Sequence, residues 1–424
     1  MAQTPVHRPW TLMVYMAGDN GKVFDSKNGK MKLMPEMASA GYHDLAKMGA
    51  IGTTRNVAVC CLFDTPAATY SIEVRRGNGF ADSVVKAVPP VNTGDPAILR
   101  QFIVQTVAGY PADHYALVIW NHGMGWLDTD VYAPLRSADL TSPRRAPIFR
   151  SASGRPPGGE ATRPIAFDDS SMDFLDAADL RQALGDARSS TGVKLDLIGM
   201  DACLMASVEG ARELAPFADF FVASQEVEPM SGWPYGEILS ALDGQPGLSP
   251  AAAAVTIVRQ YARSYHDGPA DETVTQSAIA LANTERTERL CGALVSGILE
   301  ARNAELRALV QSARDRSLGF QDRVSRDLGD FARQLVGRLQ RESYPTVSAA
   351  AAELCEHMNG RRPADPVLQV GFVSAYISAT GMSAYLPKSL PFNQRKPVLD
   401  IYRQLEFAKA TGWDQFVDWL LSDF

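Results

Sequence analysis

Two continuous apolar runs in this chain each stop at a reactive side chain. Ala116-Leu117-Val118-Ile119-Trp120 leads into Asn121-His122-Gly123, and Leu195-Asp196-Leu197-Ile198-Gly199-Met200 leads into Asp201-Ala202-Cys203. Apolar runs of this kind suit the buried strands of a parallel sheet. In such a sheet, chemistry gathers at the carboxyl ends of the strands, so an imidazole and a thiol would face each other across the sheet edge. That pairing describes a cysteine hydrolase.

The surrounding pattern supplies the rest of an α/β fold. Trp10 to Met16 and Asn56 to Phe63 read as buried strands, and Tyr70 to Arg75 with Gly79 to Val88 as a hairpin. Helical spacing covers Met34 to Lys47 and Asp95 to Ala108, the latter with Thr93 or Asp95 as its cap and Pro96 at its first position. A further helix is expected over Phe174 to Asp186, capped by Asp173 or Asp176, and another from Leu204 to Leu214, directly behind Cys203. Phe220 to Ser224 makes one more parallel strand, ending at Gln225-Glu226. Alternation of this kind predicts a doubly wound, mostly parallel sheet flanked by helices.

Beyond about Gly247 the texture changes. Pro250 to Tyr265, Thr284 to Ser317, Arg323 to Leu339 and Val398 to Leu421 read as helices, with short strands at Ser277 to Ala282 and Gly381 to Leu386. The expected organisation is therefore a domain over 10–246 and a mainly helical C-terminal subdomain over 247–424.

Composition narrows the function. A net charge of −7 with both signs dispersed gives no footprint for nucleic acid or an anionic membrane. No apolar run approaches the roughly twenty residues of a membrane helix, and Met1 to Pro9 lacks the apolar core of a signal peptide, so a cytoplasmic location is expected. Five cysteines without metal-type spacing, with Cys60 and Cys61 adjacent in a strand, argue against a disulfide framework and against zinc.

Two segments interrupt the pattern. Residues 136–164 carry Arg136, Arg144, Arg145, Arg150, Arg155 and Arg163 among Pro, Gly, Ser and Thr, and are expected to form an exposed, mobile loop. The run from Asp168-Asp169 to Asp173 concentrates carboxylates at a helix start. Capping explains them, and calcium bound by Asp168, Asp169 and Asp173 is the alternative, although the run lacks EF-hand spacing. No cofactor is required by this reading.

The chemistry rests on Cys203. A thiol becomes nucleophilic when an imidazole takes its proton and a helix amino end follows it, and His122 with the Leu204 to Leu214 helix would supply both. Gly123 lets the backbone approach a substrate carbonyl, so its N–H and that of Cys203 would form an oxyanion hole. The bland alternatives are a core cysteine and a structural histidine. Among the six histidines only His122 is followed by glycine at a strand end.

Taken together, Tyr15-Met16-Ala17-Gly18-Asp19-Asn20, Trp120-Asn121-His122-Gly123, Asp168-Asp169-Ser170-Ser171, Asp201-Ala202-Cys203-Leu204-Met205, Ala223-Ser224-Gln225-Glu226, Gly232-Trp233-Pro234-Tyr235 and Gly381-Met382-Ser383-Ala384-Tyr385-Leu386-Pro387 resemble the clostripain family of cysteine peptidases, with the caspase-like fold of clan CD. The resemblance runs from about residue 10 to the C-terminal tail. It implies an endopeptidase cutting after Arg, or Lys, with His122 as general base and acid and Cys203 as nucleophile. It places Asp201 at the acidic position of the specificity pocket, where a carboxylate offers a guanidinium a bidentate partner. Glu226 and Glu228 would widen that pocket. Because relatives are made as inactive single chains and cut between the histidine and cysteine strands, the six arginines of 136–164 become self-cleavage candidates. Calcium is required by some relatives. The partners implied are peptides or proteins with basic residues, and the sequence leaves the oligomeric state open. A regulatory protease that cuts one partner and a non-catalytic peptide-binding scaffold are the competing function classes.

Overall fold

The computed structural model describes residues 5–20, 22–25, 30–33, 37–123, 165–266, 273–339, 343–360, 362–373 and 376–422. The segment 136–164, with its six arginines, lies outside the described residues.

In chain order the first elements are β1 (Arg8–Ala17), β2 (Lys22–Asp25), β3 (Lys30–Leu33), α1 (Met37–Gly49), β4 (Val57–Asp64), β5 (Thr69–Glu73), β6 (Val84–Val88), α2 (Pro96–Gly109) and β7 (Ala112–Trp120). Then come β8 (Ile165–Asp168), β9 (Asp173–Leu175), α3 (Ala177–Thr191), β10 (Leu195–Asp201), α4 (Val208–Leu214), β11 (Ala218–Ala223), α5 (Tyr235–Gly244) and α6 (Pro250–His266). The remainder is β12 (Thr275–Ala280), α7 (Thr284–Ala301), α8 (Ala304–Arg316), β13 (Ser325–Asp327), α9 (Leu328–Val336), α10 (Pro345–Asn359), β14 (Val367–Phe372), β15 (Ser383–Tyr385), α11 (Phe392–Tyr402), α12 (Glu406–Thr411) and α13 (Trp413–Leu421). No helix among the described residues is long and apolar enough to cross a membrane.

Two compact units result, one of Met1–Ala202 with Pro229–Thr256, the other of Cys203–Glu228 with Ile257–Phe424. The structure thus exchanges segments across the boundary expected at 246. The reason is pairing: β11 is an antiparallel partner of β12, while α5 packs on α1 and β4.

In the first unit, strands β10, β7, β1 and β4 run parallel, and β5 and β6 extend the sheet antiparallel. Every residue of β4 is buried, as a strand covered on both faces requires. Register shows which helix covers which face. Val14 is level with Cys61 and Val118, and Val118 with Gly199. On that face Cys61 meets Met48 of α1, and the Trp233 ring lies over Gly199. The adjacent Tyr15 turns to the other face, where its ring stands 6.0 Å from Phe102 of α2. The sheet is doubly wound, as the alternation predicted.

Helix starts follow local chemistry. Asp95 caps α2 through the Ala97 N–H, with Pro96 at the first position. Asp176 and Asp179 form a reciprocal capping box on α3, so of the two expected caps it is Asp176 that serves. Phe174 and Leu175 lie in β9 rather than in the helix expected from Phe174, because Ile165 pairs with Leu175 and Asp168 with Asp173 in a hairpin.

The second unit contains antiparallel β11, β12 and β14 and a helical layer. The helix expected over 284–317 is two, since Asn303 accepts from the Leu306 N–H and starts a second one. Helices α7, α9 and α10 bury Leu294, Phe331, Leu335, Val347 and Leu354 between them. Asp327, fully buried, accepts hydrogen bonds from the Thr380 N–H and hydroxyl, the Asp330 N–H and Gln225 Nε2, which ties β13, α9 and the end of β11 together.

Glycine at 199 is a packing requirement, because a Cβ there would lie 2.6 Å from the Trp233 ring. Gly199→Ala is expected to cost about 2 kcal/mol through overpacking, read as a lower urea midpoint at unchanged m-value.

Candidate active site

Strands β7 and β10 are parallel neighbours, with Trp120 level with Asp201. His122 is the second residue beyond β7, and Cys203 the second beyond β10.

Asn121 fixes the turn that carries the histidine. Its Nδ2 donates to the Ala17 carbonyl at the end of β1, its Oδ1 accepts from the Phe167 N–H at 3.1 Å, and its own N–H donates to the Asp201 carbonyl at 3.3 Å. Gly123 bridges Ile165 at the start of β8. His122 is half-buried, and burial holds its pKa below the usual imidazole value, partly opposed by the charge of Asp169. The ring therefore stays neutral, and able to accept a proton, at lower pH than a free histidine.

Cys203 opens the second unit. The Glu228 N–H donates to its Sγ at 3.2 Å. Leu204 follows with φ of +64°, and its N–H donates to the Glu226 carbonyl at 3.0 Å. The helix expected directly behind Cys203 starts later: Ser207 caps α4 at Val208, because 204–206 runs beside 224–226, with Ala206 N–H on the Ser224 carbonyl. The amino end of a helix is thus not what sits behind the sulfur.

Asp201 is buried, and its Oδ2 accepts from the Tyr235 hydroxyl at 2.7 Å and the Trp233 N–H at 3.3 Å. Near it stands a carboxylate that sequence reading missed. Asp44 of α1 accepts from Trp120 Nε1 at 2.7 Å and from Lys47 at 2.6 Å. Burial first, and the charge of Asp201 second, push the Asp44 carboxyl up to about 7. A carboxylate inside an otherwise ordinary amphipathic helix gave no signal, since exposure cannot be read from one polar residue.

The two glutamates diverge. Glu226 is committed to structure, accepting from the Gln321 and Val227 N–H groups and the Tyr376 hydroxyl. Glu228 Oε1 accepts from Gln276 Nε2 at 3.2 Å, and its backbone N–H is the group on Cys203.

The acidic run also separates. Asp173 Oδ2 accepts from Asn92, and the Asp169 N–H donates to the Asp19 carbonyl. Among the described residues the carboxylates that converge are Asp168, Asp19 and Asp64, so the set Asp168, Asp169 and Asp173 is replaced. Chain folding, and not sequence proximity, brings them together.

A family model described as the clostripain family matches residues 14–137 and 155–350. The chain belongs to the clostripain family. It is 28% identical over 193 residues to clostripain from Hathewaya histolytica, a match covering 42% of this chain and 31% of that protein, so the chain spans about a third of that relative's length. A structure of an inactive zymogen C11 protease from Parabacteroides distasonis is similar with a TM-score of 0.60 at 19% identity, over 96% of this chain and 99% of that one. A secreted C11 cysteine protease from Bacteroides thetaiotaomicron, in complex with an irreversible peptide inhibitor, gives 0.60 at 20% identity, with 96% and 99% covered. At these identities the structures share the fold, in line with the caspase-like resemblance.

The histidine has a measurable signature. Its folded-state pKa lies below the unfolded value of about 6.5, so the unfolded chain binds a proton first as pH falls, and stability drops from about pH 6.5 downward. In denaturant titrations His122→Gln is expected to flatten that part of the pH slope while leaving stability at pH 8 nearly unchanged.

Proposed function

We propose that this chain is a cysteine endopeptidase that hydrolyses peptide bonds after basic residues through a His122-Cys203 dyad. The observation that carries the proposal is the parallel pairing of β7 with β10, which ends one strand beside the other with a candidate residue at the same offset beyond each. Family membership supports the reaction class.

In the proposed cycle His122 takes the Cys203 proton, and the thiolate attacks the carbonyl carbon to form a C–S bond. Negative charge develops on the carbonyl oxygen, where backbone N–H groups of Gly123 and Cys203 would receive it. His122 then gives its proton to the departing amine, the C–N bond breaks, and a thioester remains. Water, deprotonated by His122, attacks the thioester and releases the acid and the thiol.

Specificity is assigned to Asp201, supported by Glu228. Asp201 is the last residue of β10, level with Trp120 and close to a second acid, Asp44, and a carboxylate at that place favours a cationic side chain. Glu226 is set aside from this role because three donors already engage it.

Fluorogenic peptides ending in Arg, Lys, Asp or Leu test both assignments. Arg is expected to be cleaved best, and Cys203→Ala to lose more than 1,000-fold in kcat/KM, the scale seen when a nucleophile is removed. Asp201→Asn is expected to lose at least tenfold on Arg and little on Leu. Cleavage after Asp, or activity surviving in Cys203→Ala, contradicts the reading.

Activation by self-cleavage within 136–164 is part of the same proposal. The family match is interrupted between 137 and 155, so this chain carries its own sequence there, rich in the residue the enzyme would cut after. Mapping new amino termini during incubation is expected to find cuts after one or more of Arg136, Arg144, Arg145, Arg150, Arg155 and Arg163 in wild type and none in Cys203→Ala. Full activity with this segment intact overturns it.

A further inference from the structure

Asp44 and Asp201 form a buried acid pair within the first unit. Asp44 belongs to α1 and Asp201 ends β10, and they are 2% and 5% exposed. Both border one point: a Cβ on Gly232 would stand 3.1 Å from Asp44 Oδ2 and 3.3 Å from Asp201 Oδ2. Gly232 takes a φ of +58°, a left-handed backbone that suits glycine, and so lets 231–233 pass close over both carboxylates.

One ammonium serves the pair. Lys47 donates to Asp44 Oδ1 at 2.6 Å, and the same nitrogen donates to the Ser231 carbonyl and, at 3.4 Å, to that of Trp233. It thus fastens α1 to the segment that covers the acids. The other described groups facing the pair are neutral around pH 7. Trp120 Nε1 donates to Asp44 Oδ2 from β7, and the Tyr235 hydroxyl at the start of α5 donates to Asp201. Burial pushes the Tyr235 hydroxyl and the nearby Cys61 thiol of β4 up, so neither carries charge there. Among the described residues, two buried acids therefore share a single cation, and one negative charge is left to be neutralised.

A proton can do so in the free protein. Burial first, and the Asp201 charge second, raise the Asp44 carboxyl to about 7 against the pull of Lys47. Two carboxylates this close do not ionise independently, and the proton belongs to the pair.

We propose that Asp44 is a positioning residue for the specificity carboxylate: the free pair keeps one proton, and a guanidinium arriving at Asp201 takes over its role and releases it to water. The proposal rests on Asp201 as the group that meets the basic side chain. Asp44 acts through Asp201 and does not have to touch the substrate. Below about pH 7 the pair is protonated, and a guanidinium must expel that proton to bind; above it the pair is already ionised. Recognition of a basic residue therefore strengthens as pH rises, whereas a neutral side chain gains nothing.

The test compares peptides ending in Arg with peptides ending in citrulline, which has nearly the same shape without the charge, so that ionisation of His122 affects both alike. The Arg-to-citrulline ratio of kcat/KM is expected to rise about fivefold between pH 6 and pH 8, carried by KM, as a group titrating near 7 loses its proton. In Asp44→Asn, whose carboxamide oxygen can still accept from Trp120 or Lys47, Arg stays preferred and the ratio is flat over that range. Lys47→Gln removes the cation that holds the Asp44 carboxyl down, and is expected to move the rise upward by about one pH unit. Calorimetry of n-butylguanidinium binding at pH 7, in buffers of unlike ionisation enthalpy, is expected to show release of about half a proton per chain from wild type and none from Asp44→Asn. A flat ratio in wild type that still favours Arg, an unchanged rise in Asp44→Asn, or guanidinium binding to wild type without proton release overturns this inference and leaves the Asp201 assignment standing. Where Asp44→Asn does not fold, an unshifted rise in Lys47→Gln does the same. No preference for Arg over citrulline at any pH overturns both.

Discussion

One carboxamide holds the working end of the sheet together. The Asn121 side chain bonds to β1 through Ala17 and to β8 through Phe167, while its backbone N–H bonds to β10 through Asp201, so one residue with a planar amide sets three chain segments. A buried amide with every bond made is worth little in net stability. Leaving its partners unpaired costs about 1–3 kcal/mol each. The energetic asymmetry makes the arrangement unique: other dispositions of this turn strand a backbone group away from water. His122, the next residue, inherits its position from that constraint.

Tight backbone contact works toward the same end. A Cβ on Gly18 would sit 2.6 Å from the Asp64 carbonyl, and the Gly18 N–H donates to that oxygen at 2.8 Å. Chain ends that approach this closely can gather acids that lie far apart in sequence. Burial then raises the proton affinity of Asp64 and Asp168, and again that of Asp44 beside Asp201. The first group gathers at the ends of β1, β4 and β8, and the second at the end of β10 beside α1.

The parts legible in sequence were those governed by local rules. Apolar runs marked β1, β4, β7 and β10, and Asp95-Pro96 marked the start of α2. Residues at strand ends could be named because a strand's end is where its apolar run stops. Legibility failed where tertiary contacts overrule local preference. Leu204 adopts a left-handed backbone and delays α4 to Val208, since its N–H is spent on Glu226. Phe174 looks like the first apolar residue of a helix but pairs as a strand, packed 5.5 Å from Phe167. The acidic cluster was half visible: Asp168 stands in a conspicuous run, whereas Asp19 and Asp64 each look like turn residues until β1 and β4 are placed side by side.

The dyad itself is most directly tested by a peptide ending in Arg that carries an irreversible thiol-reactive group, with the modified residue found by peptide mapping. Four other cysteines compete: Cys60, Cys61 and Cys291 are buried and Cys355 is half-buried. The expected result is one adduct per chain, on Cys203, formed at least 100-fold more slowly in His122→Ala as the base is lost. Modification of another cysteine, or an equal rate without His122, contradicts it.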